Sequence, residues 1–136
     1  MFYLSSNPGI LQRLRKELTA VIPNPFVVSR WSDLEQLPYF SAVISEGIRL
    51  AYSLTTRLPR IAHEPLTYRD WEIPPGTPTS ETIYFVLTDE ALFPQPDQFR
   101  PERWLEQPEL SRYLVAFGRD TRMCLGIKSV VNTLDT

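Results

Sequence analysis

The chain has 136 residues, 43% of them hydrophobic and 22% charged, with a formal net charge of −2. That length suits one domain able to bury roughly two-thirds of its unfolded surface, and the charge argues against a nucleic-acid binder held by phosphate contacts. One cysteine and one histidine exclude an internal disulfide framework and an all-Cys/His tetrahedral zinc site.

No run of about 20 apolar residues is present, so no membrane span is expected. The opening Met1-Phe-Tyr-Leu-Ser-Ser has neither a basic n-region nor a long apolar h-region, and it does not read as a signal peptide. Asn7 and Pro8 predict the start of a helix, and Ile10, Leu11, Leu14, Leu18 and Val21 continue it at helical spacing. Pro23 and Pro25 end it. Ser32-Asp-Leu-Glu35 is a capping-box pattern that predicts a short turn or helix. Pro38 opens a stronger helix, with Phe40, Val43, Ile44, Ile48 and Ala51 on its apolar side.

From Leu58 the period changes. Residues 57–62, 66–68, 71–73 and 77–82 predict short strands, and Pro74-Pro-Gly76 supplies a turn. Residues 83–87 are ambiguous by periodicity. Residues 89–104 predict a proline-punctuated irregular stretch, and 109–114 a helical turn. Nine of the 13 prolines lie between Pro59 and Pro108. Interleaved aromatic and β-branched residues argue there for turns and extended segments rather than disorder. After Cys124, the residues Ile127, Val130, Val131 and Leu134 predict a short amphipathic helix. The aromatic residues Trp31, Tyr39, Phe40, Trp71, Tyr84, Phe85 and Trp104 read as core. Glu81, Asp89, Glu90 and Asp97 read as a solvated acidic face, and His63 as an exposed structural residue.

Three constellations carry chemistry. Cys124 precedes a predicted helix, whose N-terminal dipole and free N–H groups favour a thiolate; taken alone, a lone cysteine is usually a small buried hydrophobe. Glu46 and Arg49 stand three apart on a helix, which by itself makes an ordinary surface pair worth about 0.2–0.5 kcal/mol. Pro101-Glu102-Arg103-Trp104 lies between that helix and the cysteine.

In this order, Glu46-x-x-Arg49, Pro101-Glu-Arg103 and Phe117-Gly-Arg-Asp-Thr-Arg122-Met-Cys124-Leu-Gly126 resemble the proximal half of a cytochrome P450, a haem-thiolate monooxygenase. Leu37 to Leu50, Trp71 to Pro78 and Phe93 to Trp104 extend the resemblance from about Pro8 to Ile127, with the flavour of filamentous-fungal secondary-metabolism enzymes. It implies an α+β fold with a Glu-x-x-Arg helix, short antiparallel strands, a meander and a cysteine-ligand loop, as one partial domain over residues 1–136. It implies haem b held by Cys124 as the iron ligand, with Phe117, Arg122, Gly126 and a propionate-binding arginine around it. Arg57 is favoured over Arg60 for that last role. Glu46, Arg49 and Arg103 are implied as a structural triad.

The resemblance further implies oxidation of an organic substrate with electrons from an NADPH–cytochrome P450 reductase at the endoplasmic-reticulum membrane. The distal helix, substrate-recognition segments and membrane anchor of that family have no counterpart in the residues read here. The expectation is therefore a C-terminal portion inactive by itself, cytoplasmic or of no assigned location. The alternative is a relic or splice product with weak or no haem binding. One position departs from the family pattern: Asp120 stands where a glycine is usual. Its carboxylate would lie beside an already anionic ligand set, and a residue other than glycine tolerates positive φ less freely.

Overall fold

The computed structural model describes residues 2–22, 31–52, 56–118 and 123–126. Helices α1 (Phe2–Ser5), α2 (Pro8–Val21), α3 (Trp31–Glu35) and α4 (Pro38–Leu50) come first. Strands β1 (Leu58–Ile61), β2 (Leu66–Tyr68), β3 (Trp71–Ile73) and β4 (Pro78–Glu81) follow, then α5 (Ile83–Leu87), α6 (Arg103–Glu106) and a 3-10 helix over Pro108–Tyr113. The fold is α+β. The predicted helix after Cys124 lies outside the described residues.

Helix α2 buries Leu14 against Tyr39 and Val43 of α4, with Ile10, Leu18, Phe40 and Phe99 packed around them. Asn7 precedes α2 but caps nothing with its side chain; its amide donates instead to the Tyr3 carbonyl at 2.8 Å. Helix α3 already includes Trp31, so the expected cap Ser32 is itself helical. Leu37 precedes α4 without a side-chain cap, and Pro38 takes the first helical position. The free N–H groups of that first turn go to a carboxylate on α2. Tyr39 N donates to Glu17 Oε1 at 3.0 Å and Phe40 N to Glu17 Oε2 at 2.7 Å. A negative group at the positive end of a helix satisfies both the orphan donors and the dipole.

The deepest face of α4 is not the stripe that hydrophobic periodicity selects. Its buried residues are Tyr39, Ala42, Val43, Glu46, Arg49 and Leu50, at spacings of three and four. Ile44 and Ile48 are only half-buried, and Ala51, just past the helix, is exposed. The pattern was misleading because two charged residues occupy the interior, and periodicity assigns charges to solvent.

The strands form two antiparallel pairs, one nested inside the other. β1 pairs with β4, Leu58 facing Glu81 and Ile61 facing Pro78, and β2 pairs with β3, Leu66 facing Ile73. Gly76 makes the turn before β4 with φ of +79°, and its N–H donates to the Ala62 carbonyl at 2.9 Å. With proline at the position before it, that is the arrangement a type II turn requires of glycine. Neither pair is covered on both faces. Trp71 is 71% and Tyr68 61% exposed, which corrects the reading of Trp71 as core. Tyr84 and Phe85, on α5, are exposed as well. Tyr39 and Trp104 are buried as expected. His63, Glu81, Asp89, Glu90 and Asp97 are all exposed.

Candidate functional site

Glu46 is wholly buried, as is Arg49, and Arg103 is nearly so. An isolated carboxylate in such a place would neutralise or unfold its surroundings. Glu46 avoids this by accepting from five donors. Its Oε1 receives Arg49 Nη2 at 2.9 Å, Arg103 Nε at 3.1 Å and the backbone N of Arg100 at 3.0 Å. Its Oε2 receives Arg49 Nε at 3.0 Å and Trp104 Nε1 at 2.9 Å. The structure thus brings Glu46, Arg49 and Arg103 together from α4 and α6. It adds Trp104 and the Arg100 amide, which spacing alone could not reveal; the Trp side chain following Arg103 was the available signal.

The two guanidiniums leave the cluster with one excess positive charge. Backbone carbonyls absorb it. Arg49 Nη1 donates to Leu87 O at 2.8 Å and Nη2 to Pro96 O at 2.6 Å. Arg103 Nη1 donates to Pro94 O at 2.9 Å and Nη2 to Gln95 O at 3.3 Å. These bonds fasten the irregular stretch between α5 and α6 to α4. Burial pushes the Arg103 guanidinium below the ordinary arginine range, with Glu46 opposing that shift. Arg49 also lies over the Phe93 ring, 5.2 Å from its centroid.

A second, outer cluster joins α2 to the same region. Tyr39 Oη donates to Glu102 Oε1 at 2.9 Å, and Arg13 Nη1 reaches the same oxygen at 3.0 Å. The Arg13 guanidinium stacks 4.1 Å above the Tyr39 ring. Tyr39 is pushed up to about 12, first by burial and then by its hydrogen bond to Glu102.

Downstream, the 3-10 helix carries Leu110 into the core with Ala42, Phe93 and Trp104, and Tyr113 and Leu114 pack against them. The chain then passes through buried Ala116 to the cysteine loop. Gly118 takes φ of +72°, and the Cys124 amide donates to the Phe117 carbonyl at 2.8 Å. Cys124 is a free, exposed thiol. Phe117 and Met123 are each 40% exposed and Leu125 89%. Gly126 has an ordinary backbone conformation; a Cβ there would stand 3.5 Å from the Cys124 Sγ, against the flank of the sulfur. Arg122 and Asp120 lie outside the described residues.

Arg57 is exposed immediately before β1. A groove of about 740 Å³ opens between the strand pairs, α5 and the run to the cysteine. Arg60, Tyr68, Ile83, Val86, Val115 and Gly118 are among its lining residues. No helix among the described residues is long and apolar enough to cross a membrane. No group of three or more His, Cys, Asp or Glu among them could hold a metal ion.

A buried glutamate–arginine helix is thus clamped to a second arginine, and the chain leads on to a cysteine exposed in a loop. The chain belongs to the cytochrome P450 family, whose model matches residues 1–128. It is 44% identical over 132 residues to the cytochrome P450 monooxygenase aflU of Aspergillus parasiticus, covering 93% of this chain and 26% of that protein. It is 45% identical over 129 residues to the cytochrome P450 monooxygenase claJ of Penicillium crustosum, covering 91% of this chain and 30% of the relative. The cytochrome P450 monooxygenase TRI4 of Trichoderma arundinaceum is 44% identical over 131 residues, with 93% and 25% covered. The chain thus spans between a quarter and a third of the length of these relatives.

Proposed function

We propose that this chain, as one partial domain, supplies the proximal, cysteine-bearing portion of a haem-thiolate monooxygenase that oxidises an organic substrate of the secondary-metabolite kind. The observation that carries the reading is the exposed Cys124 sulfur, set in a loop that follows a buried Glu46–Arg49–Arg103 cluster in the family's order. The residues present fit a haem. A single exposed sulfur, with no group of three or more His, Cys, Asp or Glu among the described residues, suits a metal whose remaining ligands would arrive with a cofactor. Gly126 leaves the flank of that sulfur open, so a flat group can approach it closely.

In this reading Cys124 is the iron ligand, and haem b, when bound, supplies activation of dioxygen, favoured by thiolate donation. Phe117 holds the Cys124 amide through its carbonyl, and its part-exposed ring would lie beside the bound group. Arg122 and Arg57 would pair with the propionates. The Glu46 cluster keeps the segment before the loop from shifting when the ligand is loaded. Electrons would come from an NADPH–cytochrome P450 reductase at the endoplasmic-reticulum membrane. The comparisons do not favour the alternative of a non-catalytic relic.

The test is a ferrous–CO difference spectrum of the chain expressed with haem, beside Cys124→Ala. A thiolate-type band in the parent that vanishes in the variant supports the proposal. A band unchanged by Cys124→Ala, or no haem taken up by the parent, overturns it.

A further inference from the structure

Trp104 belongs at once to the charged cluster and to the apolar core. Its indole N–H is one of the two donors to Glu46 Oε2, at 2.9 Å. The body of the same ring packs with Ala42, Phe93 and Leu110, and Leu114 and Tyr113 lie against that group. The Phe93 and Trp104 rings meet at 5.9 Å with a 48° tilt. From Leu114 the chain continues through Val115, whose carbonyl accepts the Gly118 amide at 2.8 Å, to Phe117, whose carbonyl accepts the Cys124 amide at 2.8 Å. The other donors to Glu46 are two arginines and the Arg100 amide. The arginines spend their remaining N–H groups on the stretch between α5 and α6. Among the donors to Glu46, Trp104 is the one that shares a core cluster with Leu110, against which Tyr113 and Leu114 pack.

We infer that Trp104 is a positioning residue for Cys124. Its hydrogen bond to Glu46 fixes the tilt of the indole, and the indole fixes the segment on which the cysteine loop is hung. Phenylalanine would fill nearly the same space but offers no donor, and Glu46 Oε2 would keep only Arg49 Nε. The indole would then be replaced by a ring free to turn about its own axis. Polar anchorage and apolar packing act together here, because a core ring held by one directional bond has a single orientation. The inference rests on the proposed ligand role of Cys124 for its meaning, but its first readouts do not need haem.

The experiment uses the whole 136-residue chain and compares Trp104→Phe with Leu14→Ala, a truncation in the other core cluster. Both variants are brought to equal global stability with denaturant, and hydrogen exchange of the Cys124 amide is followed. The expected result is exchange about tenfold faster in Trp104→Phe than in Leu14→Ala, equivalent to about 1.4 kcal/mol of local opening. Equal exchange in the two variants overturns the inference. Should Trp104→Phe not fold, the parent decides: the Trp104 indole proton should exchange far more slowly than that of exposed Trp71. Indole protons exchanging at the same rate overturn the proposed anchor. In the haem-loaded chain, Trp104→Phe should reduce the thiolate-type fraction of the CO spectrum, and an unchanged fraction counts against the inference. A parent that takes up no haem defeats the ligand role of Cys124 and leaves the exchange result standing.

Discussion

Replacing Glu46 by Gln tests how much the buried charge matters, because shape is kept and only charge and acceptors are lost. In the less damaging orientation the new amide nitrogen takes the place of Oε2. It then faces two donors, Arg49 Nε at 3.0 Å and Trp104 Nε1 at 2.9 Å. In the other orientation it faces three donors, from Arg49, Arg103 and the Arg100 amide. Either way, two buried guanidiniums lose their only carboxylate in the cluster. Removing one partner of a buried ion pair costs about 3–5 kcal/mol, a large part of the roughly 5–15 kcal/mol that holds a domain together. For a domain of this size the melting temperature should fall by about 10–20 °C. Urea unfolding followed by tryptophan fluorescence and by circular dichroism measures the loss and checks that both probes agree. A destabilisation below about 1 kcal/mol would mean that the cluster behaves as a solvated pair and that its burial does not govern stability.

Tyr39, pushed up to about 12 by burial and its bond to Glu102, should ionise above the ordinary phenol value of about 10 in an alkaline titration of phenolate absorbance. Because its folded value lies above the unfolded one, its contribution is intact below about pH 10 and is lost as pH rises from there through about 12; Tyr39→Phe should remove this part of the alkaline stability loss, and an unchanged profile would refute the assignment. Gly126→Ala should leave the melting temperature within about 2 °C, since its backbone is ordinary and the added Cβ meets Cys124 Sγ at contact distance, 3.5 Å. The same change should slow labelling of Cys124 by a bulky thiol reagent several-fold, and equal labelling rates would show that the glycine does not govern access to the sulfur.

The sequence was most legible where local chemistry and periodicity agreed. Proline at the start of α2 and α4, the β2 and β3 strands, and the Pro-Pro-Gly turn were all readable from steric rules that act within a few residues. Reading failed where a long-range partner replaced a local one. Asn7 is a good capping residue, yet it turned back to the Tyr3 carbonyl, and the uncapped start of α4 was satisfied by Glu17, some twenty residues earlier in the chain. No window of sequence contains that pairing. Residues 83–87 read ambiguously because the segment is one short helix with a single buried residue, Leu87, too brief for a period to register. The exposure of Trp71 and Phe85 is likewise invisible to composition, since what covers an aromatic ring depends on neighbours distant in sequence. For the site, the residue types and order of Glu46, Arg49 and Arg103 could be read. Their burial could not, because a glutamate–arginine pair at helical spacing is written identically on a solvated face.

The stretch from Pro94 to Gln98 is held by its carbonyl oxygens, which Arg49 and Arg103 grip. Every amino acid carries that oxygen in the same place. Two of the gripped residues are prolines, Pro94 and Pro96, which offer an acceptor and bring no N–H that would need a partner of its own. Recognition of this kind is blind to side chains. The two arginines, one from α4 and one from α6, read the path of the backbone and ignore its spelling.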